Sequence, residues 1–165
     1  MKTGIVARIV ASAVLAWSGT LSAHHSLARF DTTTPVWVKG TDVRFERINP
    51  HSRILLDQTG EQGRAEHWVI DGPSPNVLAR MGLTEPFLKI GDVIEVCGFA
   101  LRQDVASQPA PPTSGSPAMS GRLLNGHLLV MPDGKRKFWS DYGQFEKCLA
   151  PGETKETYRR EAFGR

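Results

Sequence analysis

From Val36 onward, apolar positions recur in short runs separated by glycine, proline and polar residues. The run Val36 to Ile48, VWVKGTDVRFERI, is the longest, and from Asp42 it alternates polar with apolar as a half-buried strand does. Gly40 interrupts it where a bend or bulge would let one strand serve two sides of a barrel. Asn49-Pro50 ends the run, because proline lacks the amide that a ladder needs. Ser52 to Asp57 reads as a second strand and Ala65 to Asp71, AEHWVID, as a third. Between them Gln58 to Arg64, with Gly60 and Gly63, suits a hairpin loop.

The period then changes. Gly72-Pro73-Ser74-Pro75 opens a helix with Ser74 as N-cap and Pro75 at the first helical position. Val77, Leu78 and Met81 fall on one face, and Gly82 stops the helix. Gly91-Asp92 is a tight turn before a fourth strand, Val93 to Leu101. Asp104 to Ser120, with four prolines between Gln108 and Pro117, is expected to be a mobile loop. Arg122 to Met131 resumes as a strand, Pro132-Asp133-Gly134 turns, and Lys135 to Trp139 returns as a short hairpin arm. Residues 150–165 form a charged tail expected to fray. Three strands, a helix and two more strands predict an all-β fold of small helical content. It is a five-stranded OB-like barrel with its helix between strands three and four. A loose sandwich with one helix is the other architecture this pattern allows.

The segment before the strands alters the charge balance. Lys2 and Arg8, the apolar run Ile9 to Trp17, and Thr20-Leu21-Ser22-Ala23 have the layout of a secretory signal peptide over residues 1–23. The apolar run is too short to span a bilayer. Cleavage after Ala23 is expected, with a cut after Ser22 as the other option, and places the mature chain in the periplasm or medium. The chain has 20 Lys+Arg against 17 Asp+Glu; removing Lys2 and Arg8 leaves 18 against 17, a net +1. That near-neutral charge gives no reason to expect a nucleic-acid partner. Residues 24–149 suit one domain, not embedded in a membrane once the leader is removed. Cys97 and Cys148 are the only cysteines, and an even count in an exported chain favours a disulfide. Two buried free thiols are the alternative.

The chemistry that stands out is imidazole. Cleavage after Ala23 makes His24 the first residue, so its free amine and its ring can chelate one ion with His25 beside it. Such nitrogen donors suit Cu(II) first by the Irving–Williams order, then Zn(II) or Ni(II). A cut after Ser22 gives Ala-His-His, which favours the same ions. His51, in Asn49-Pro50-His51, is the candidate third nitrogen; it serves equally well as a ring that caps a backbone carbonyl. On the third strand His67 shares a face with Val69, while Glu66, Trp68 and Ile70 point the other way. His67, Trp68 and His127 together make a weaker candidate surface for a ligand or partner. His127 follows Gly126 near a possible bulge. Of Trp37, Trp68, Phe45 and Trp139, most are expected in the core and one exposed for binding. No nucleophile elbow, paired-carboxylate motif or phosphate-binding glycine loop is legible, so no catalytic residue is assigned.

AHHSLARFD, an early strand ending in RINPH, HWVIDGPSPNVLARMGL, LKIGDVIEVCGF and a closing PDGK turn together resemble one family of exported bacterial proteins, the DUF6152 type. The resemblance runs from about His24 to Phe138, and HHS, NPH and W-x-x-x-G-x-S-P are its specific elements. It implies a small OB-like barrel outside the cytoplasm and carries no known activity, substrate or catalytic residue. The proline-rich insertion and the extension bearing Cys148 lie outside the family's short pattern. The function expected is a periplasmic binding module that chelates a copper-type ion through its N-terminal histidines. The alternative is a metal-independent module for a periplasmic protein or small ligand.

Overall fold

The computed structural model describes residues 27–60, 63–83, 87–106, 122–140 and 145–154. The expected leader, His24 and His25, most of the proline-rich insertion and the end of the charged tail lie outside the described residues. Six strands and two short helices follow in chain order: β1 (Val36–Glu46), β2 (Arg53–Thr59), β3 (Ala65–Asp71), α1 (Pro75–Arg80), β4 (Val93–Ala100), α2 (Gln103–Ala106), β5 (Arg122–Val130) and β6 (Arg136–Phe138).

β1 is long enough to pair on both sides in succession. Its first half, Val36 to Thr41, runs antiparallel to β4, and its second half, Thr41 to Glu46, antiparallel to β2. Gly40 sits at this change of partner. A Cβ there would stand 2.8 Å from the Asp57 carbonyl oxygen, so only glycine allows the strands to approach. β2 pairs β3, β4 pairs β5, and β3 lies parallel to β5 with Trp68 opposite Arg122. The ring β1-β2-β3-β5-β4 is thereby closed, with the OB-type strand order and α1 between β3 and β4.

Two bulges reset which residues face inward. In β1 the register shifts between Asp42 and Arg44. Val38, Gly40 and Asp42 face in by regular alternation up to the bulge, and Val43, its extra residue, faces out at 38 % exposure. Simple alternation from Asp42 predicts the opposite for Asp42 and Val43; the extra residue of the bulge reverses it. In β5 the shift falls at His127, so that Leu124 and Leu129 both reach the barrel core.

That core joins Val38, Ile54, Leu56, Ile70, Ile94 and Val96 to Leu78 of α1, with Leu83 and Leu88 beyond the helix. Ser74 precedes α1 as expected and Pro75 opens it, but the Ser74 side chain makes no cap bond. Its backbone carbonyl accepts Val77 and Leu78 N–H instead. Gly82 takes φ of 80°, the left-handed geometry that ends a helix. Trp139, just past β6, closes the same end of the barrel. Its indole lies on Gly72 and Gly126, where a side chain would collide with the ring. Its Nε1 donates to the Asp71 carbonyl at 3.1 Å.

A second apolar cluster lies on the outer face of β4 and β5. Cys97, Leu128 and Phe138 are covered by the 3-10 turn Phe145–Cys148, and the Cys97–Cys148 disulfide fastens that turn down. Phe138 and Phe145 stack at a centroid distance of 4.3 Å. The expected fraying does not extend to residues 150–154. Glu153 accepts both Arg136 Nη1 and the Ala150 N–H, which ties this stretch to β6. The start of the proline-rich insertion likewise forms α2 rather than loop, with Asp104 in its first turn paired to Arg102.

The disulfide spans 51 residues of chain. In the chain-entropy model such a closure stabilises by about 4 kcal/mol before native strain is subtracted. The double variant Cys97→Ala, Cys148→Ala is therefore expected to lose up to that amount in urea unfolding. An unchanged midpoint would show that the cross-link does not restrain the unfolded chain.

Candidate functional site

The loop after β1 and the segment after β3 meet at the end of the barrel that α1 and Trp139 close. Ser52 N–H donates to the Pro73 carbonyl at 2.9 Å, and Gly72 N–H to the Ser52 carbonyl at 3.0 Å. These bonds set the half-buried His51 ring against Asp71, with Nδ1 2.8 Å from Oδ2. Arg53 Nε stands 3.9 Å from the other carboxylate oxygen. The hydrogen bond to Asp71 raises the His51 pKa above its ordinary 6.5. Burial opposes this, while the Asp71 charge and the Gly72 backbone add to it and Arg53 subtracts. The arrangement favours the protonated ring and makes the pair a latch between two loops. It does not assemble a nucleophile–base pair, because the buried Ser52 Oγ has no hydrogen-bond partner.

The three residues of the weaker candidate surface separate. His67 is exposed on the outer face of β3 and pairs with Asp57, Nδ1 to Oδ1, at 2.6 Å. Trp68 is buried, as its facing predicts; its Nε1 donates to Gln58 Oε1 and the Arg122 guanidinium covers its ring. His127 is fully buried against Phe99, with Nδ1 3.1 Å from the Ser140 carbonyl. Trp68 and His127 are thus interior residues, placed there by strand facing and by the β5 bulge. The exposed tryptophan is Trp37, at 45 %. Among the described residues no group of three or more His, Cys, Asp or Glu side chains could hold a metal ion.

The bulge in β1 creates a further feature. An open groove of about 360 Å³ is lined by Asp42, Arg44, Phe45, Arg47, Leu88 and Ile90. Asp42 is 1 % exposed. Its Oδ1 accepts the Arg44 N–H at 3.1 Å, while Oδ2 is buried with no partner. Burial pushes its pKa up to about 6, against the Arg44 bond that lowers it, and the nearby Asp92 charge adds to the rise. Asp42, Asp71 and the plug role of Trp139 are not legible from residue pattern alone. The one signal for Asp42 is its place after Gly40, where the strand changes partner.

The sequence model of the family of unknown function DUF6152 matches residues 11–108, more than half of the chain, and the protein belongs to that family. Two of the elements that carry the resemblance, NPH and W-x-x-x-G-x-S-P, are those joined by the His51–Asp71 contact. No curated protein and no solved structure matches the chain. No helix among the described residues is long and apolar enough to cross a membrane.

The His51–Asp71 pair sets a pH dependence. A pKa raised on folding means that the stabilisation is complete below about pH 6.5 and is lost as pH climbs through the folded-state value. Urea midpoints at pH 5.5 and pH 8.5 should show His51→Ala costing about 1 kcal/mol at the lower pH and markedly less at the higher. Equal losses at both would mean that the ring packs without carrying charge.

Proposed function

We propose that this small β-barrel is a binding module of the bacterial cell envelope that holds a copper-type ion at the start of its mature chain. The observation that carries the proposal is the position of His24-His25 directly after Ala23. Signal cleavage there would put a free amine and two imidazoles within reach of one cation. The Cys97–Cys148 disulfide supports an oxidising compartment such as the periplasm. The barrel also supports the chelate mechanically. Phe30 bridges Leu101, and Asp31 and Arg102 exchange backbone bonds with Ala100 and Arg29. The chain is therefore anchored to the barrel wall soon after the histidines.

His51 remains the candidate third nitrogen: a carboxylate on one ring nitrogen is the usual support of a metal-binding histidine. Its contacts with Asp71 and Gly72 favour the protonated ring, so loading would displace that proton. The proposed donors are the α-amine, His24 and His25, with His51 as the third side chain. The α-amine must also lose a proton, so affinity falls as pH drops through about 8. A metal-independent module for a small ligand or periplasmic protein is the second reading, and the groove beside Asp42 favours it.

Protein with its natural mature N-terminus should bind one Cu(II) per chain, with nitrogen hyperfine structure in its electron paramagnetic resonance spectrum. His24→Ala or a tag that extends the terminus should weaken binding at least tenfold, and His51→Ala should leave the stoichiometry at one. Tight binding that survives the tag would overturn the chelate.

A further inference from the structure

We propose that the groove at the β1 bulge binds a small apolar amine, whose ammonium group is received by the Asp42 carboxylate. The inference rests on the second reading above, a small-ligand module, and is independent of the N-terminal histidines.

The fold puts a carboxyl group where its own strand pattern calls for an apolar side chain. Asp42 keeps the inward facing of Val38 and Gly40, and the bulge that follows leaves Val43 in water. A buried acceptor without a donor is destabilising, and local rules broken in this way mark functional sites. Oδ1 is occupied by the Arg44 N–H, which holds the carboxylate in place, while Oδ2 has no partner. The backbone around it is held firmly too. Asp42 N–H donates to the Asp92 carbonyl and Gly91 N–H to the Asp42 carbonyl, both at 2.8 Å.

The charges nearby select a cation. Arg44 pairs with Glu46 at 3.0 Å, and Arg47 Nη1 donates to the Leu83 carbonyl at 2.8 Å, so both guanidiniums on the groove have protein partners. Asp92, whose Oδ2 accepts the Lys89 backbone N–H, adds a second negative charge near Asp42. That charge and burial together hold the Asp42 pKa above its usual range. An ammonium group would relieve both the missing hydrogen bond and the like-charge repulsion.

The rest of the groove suits hydrocarbon. Phe45, Leu88 and Ile90 line it, and about 360 Å³ lies at the small end of the roughly 300–1,000 Å³ typical of small-molecule sites. Val43, Ile90 and Val93 are three of the four large apolar side chains exposed among the described residues. Val43 lies on the bulge, Ile90 on the turn hydrogen-bonded to it, and Val93 at the start of β4 opposite Thr41. Ile90, at 79 %, is the most exposed.

The test is an amide-resolved NMR titration of the mature protein at pH 7.5 with 3-phenylpropylamine, 3-phenylpropanol and 3-phenylpropionate. The amine should give saturable shifts at Asp42, Arg44 and Gly91, with the alcohol and the carboxylate at least tenfold weaker. At pH 4.5, where Asp42 is protonated, amine affinity should fall tenfold or more. Asp42→Asn keeps an oxygen for the Arg44 N–H and should abolish the preference for the amine. If that variant unfolds, Ile90→Lys at the exposed lip sets a competing ammonium in the groove and should weaken the amine at least tenfold. Equal binding of amine and carboxylate, or shifts confined to other regions, overturns the proposal. Absence of any response while the same sample takes up Cu(II) overturns this site alone and leaves the copper chelate standing.

Discussion

The seating of the Trp139 indole on Gly72 and Gly126 is the contact on which the rest of the molecule depends. Its ring occupies the space that two side chains would fill, and its Nε1 donates to the carbonyl of Asp71. That bond fixes the end of β3, where the Asp71 carboxylate receives His51. The indole also meets Phe45 and Phe87 at centroid distances of 5.8 and 6.1 Å. Phe45 in turn forms a wall of the Asp42 groove. One aromatic plug therefore positions the loop latch on one side and the groove on the other. A closed barrel needs such a plug, because the ends of its strands would otherwise leave backbone groups and core side chains open to water.

The strands and the helix were legible because their signals are local. β3 begins and ends where AEHWVID does, and Pro75 and Gly82 bracket α1 as their backbone preferences require. The disulfide was legible from an even cysteine count in a chain read as exported. Facing was less legible, since a single extra residue inverts it. The bulge at Val43 breaks the alternation between Asp42 and Phe45, and at the one in β5 His127, a residue of the weaker candidate surface, is fully buried. The partner of His51 also escaped the residue pattern. Asp71 lies at the far end of the neighbouring strand, and only the β2–β3 pairing, with Arg53 opposite Asp71, brings them together.

The two features with chemical potential differ in kind. His51 and Asp71 satisfy each other, so their charge is spent on joining two loops. Asp42 is held by one hydrogen bond, and its other oxygen is buried without a partner. In a family of unknown function, this contrast separates a residue that builds the barrel end from one that the barrel end serves.

The outer cluster beneath the disulfide has a consequence for the life history of the chain. Leu128, Phe138 and Phe145 are shielded by a short 3-10 turn that the cross-link holds in place. A copy whose Cys97 and Cys148 stay reduced would lack that clasp and present an oily patch on β4 and β5. Chaperones and proteases recognise such patches, so the redox state of one cysteine pair decides whether this flank is sealed or open to them.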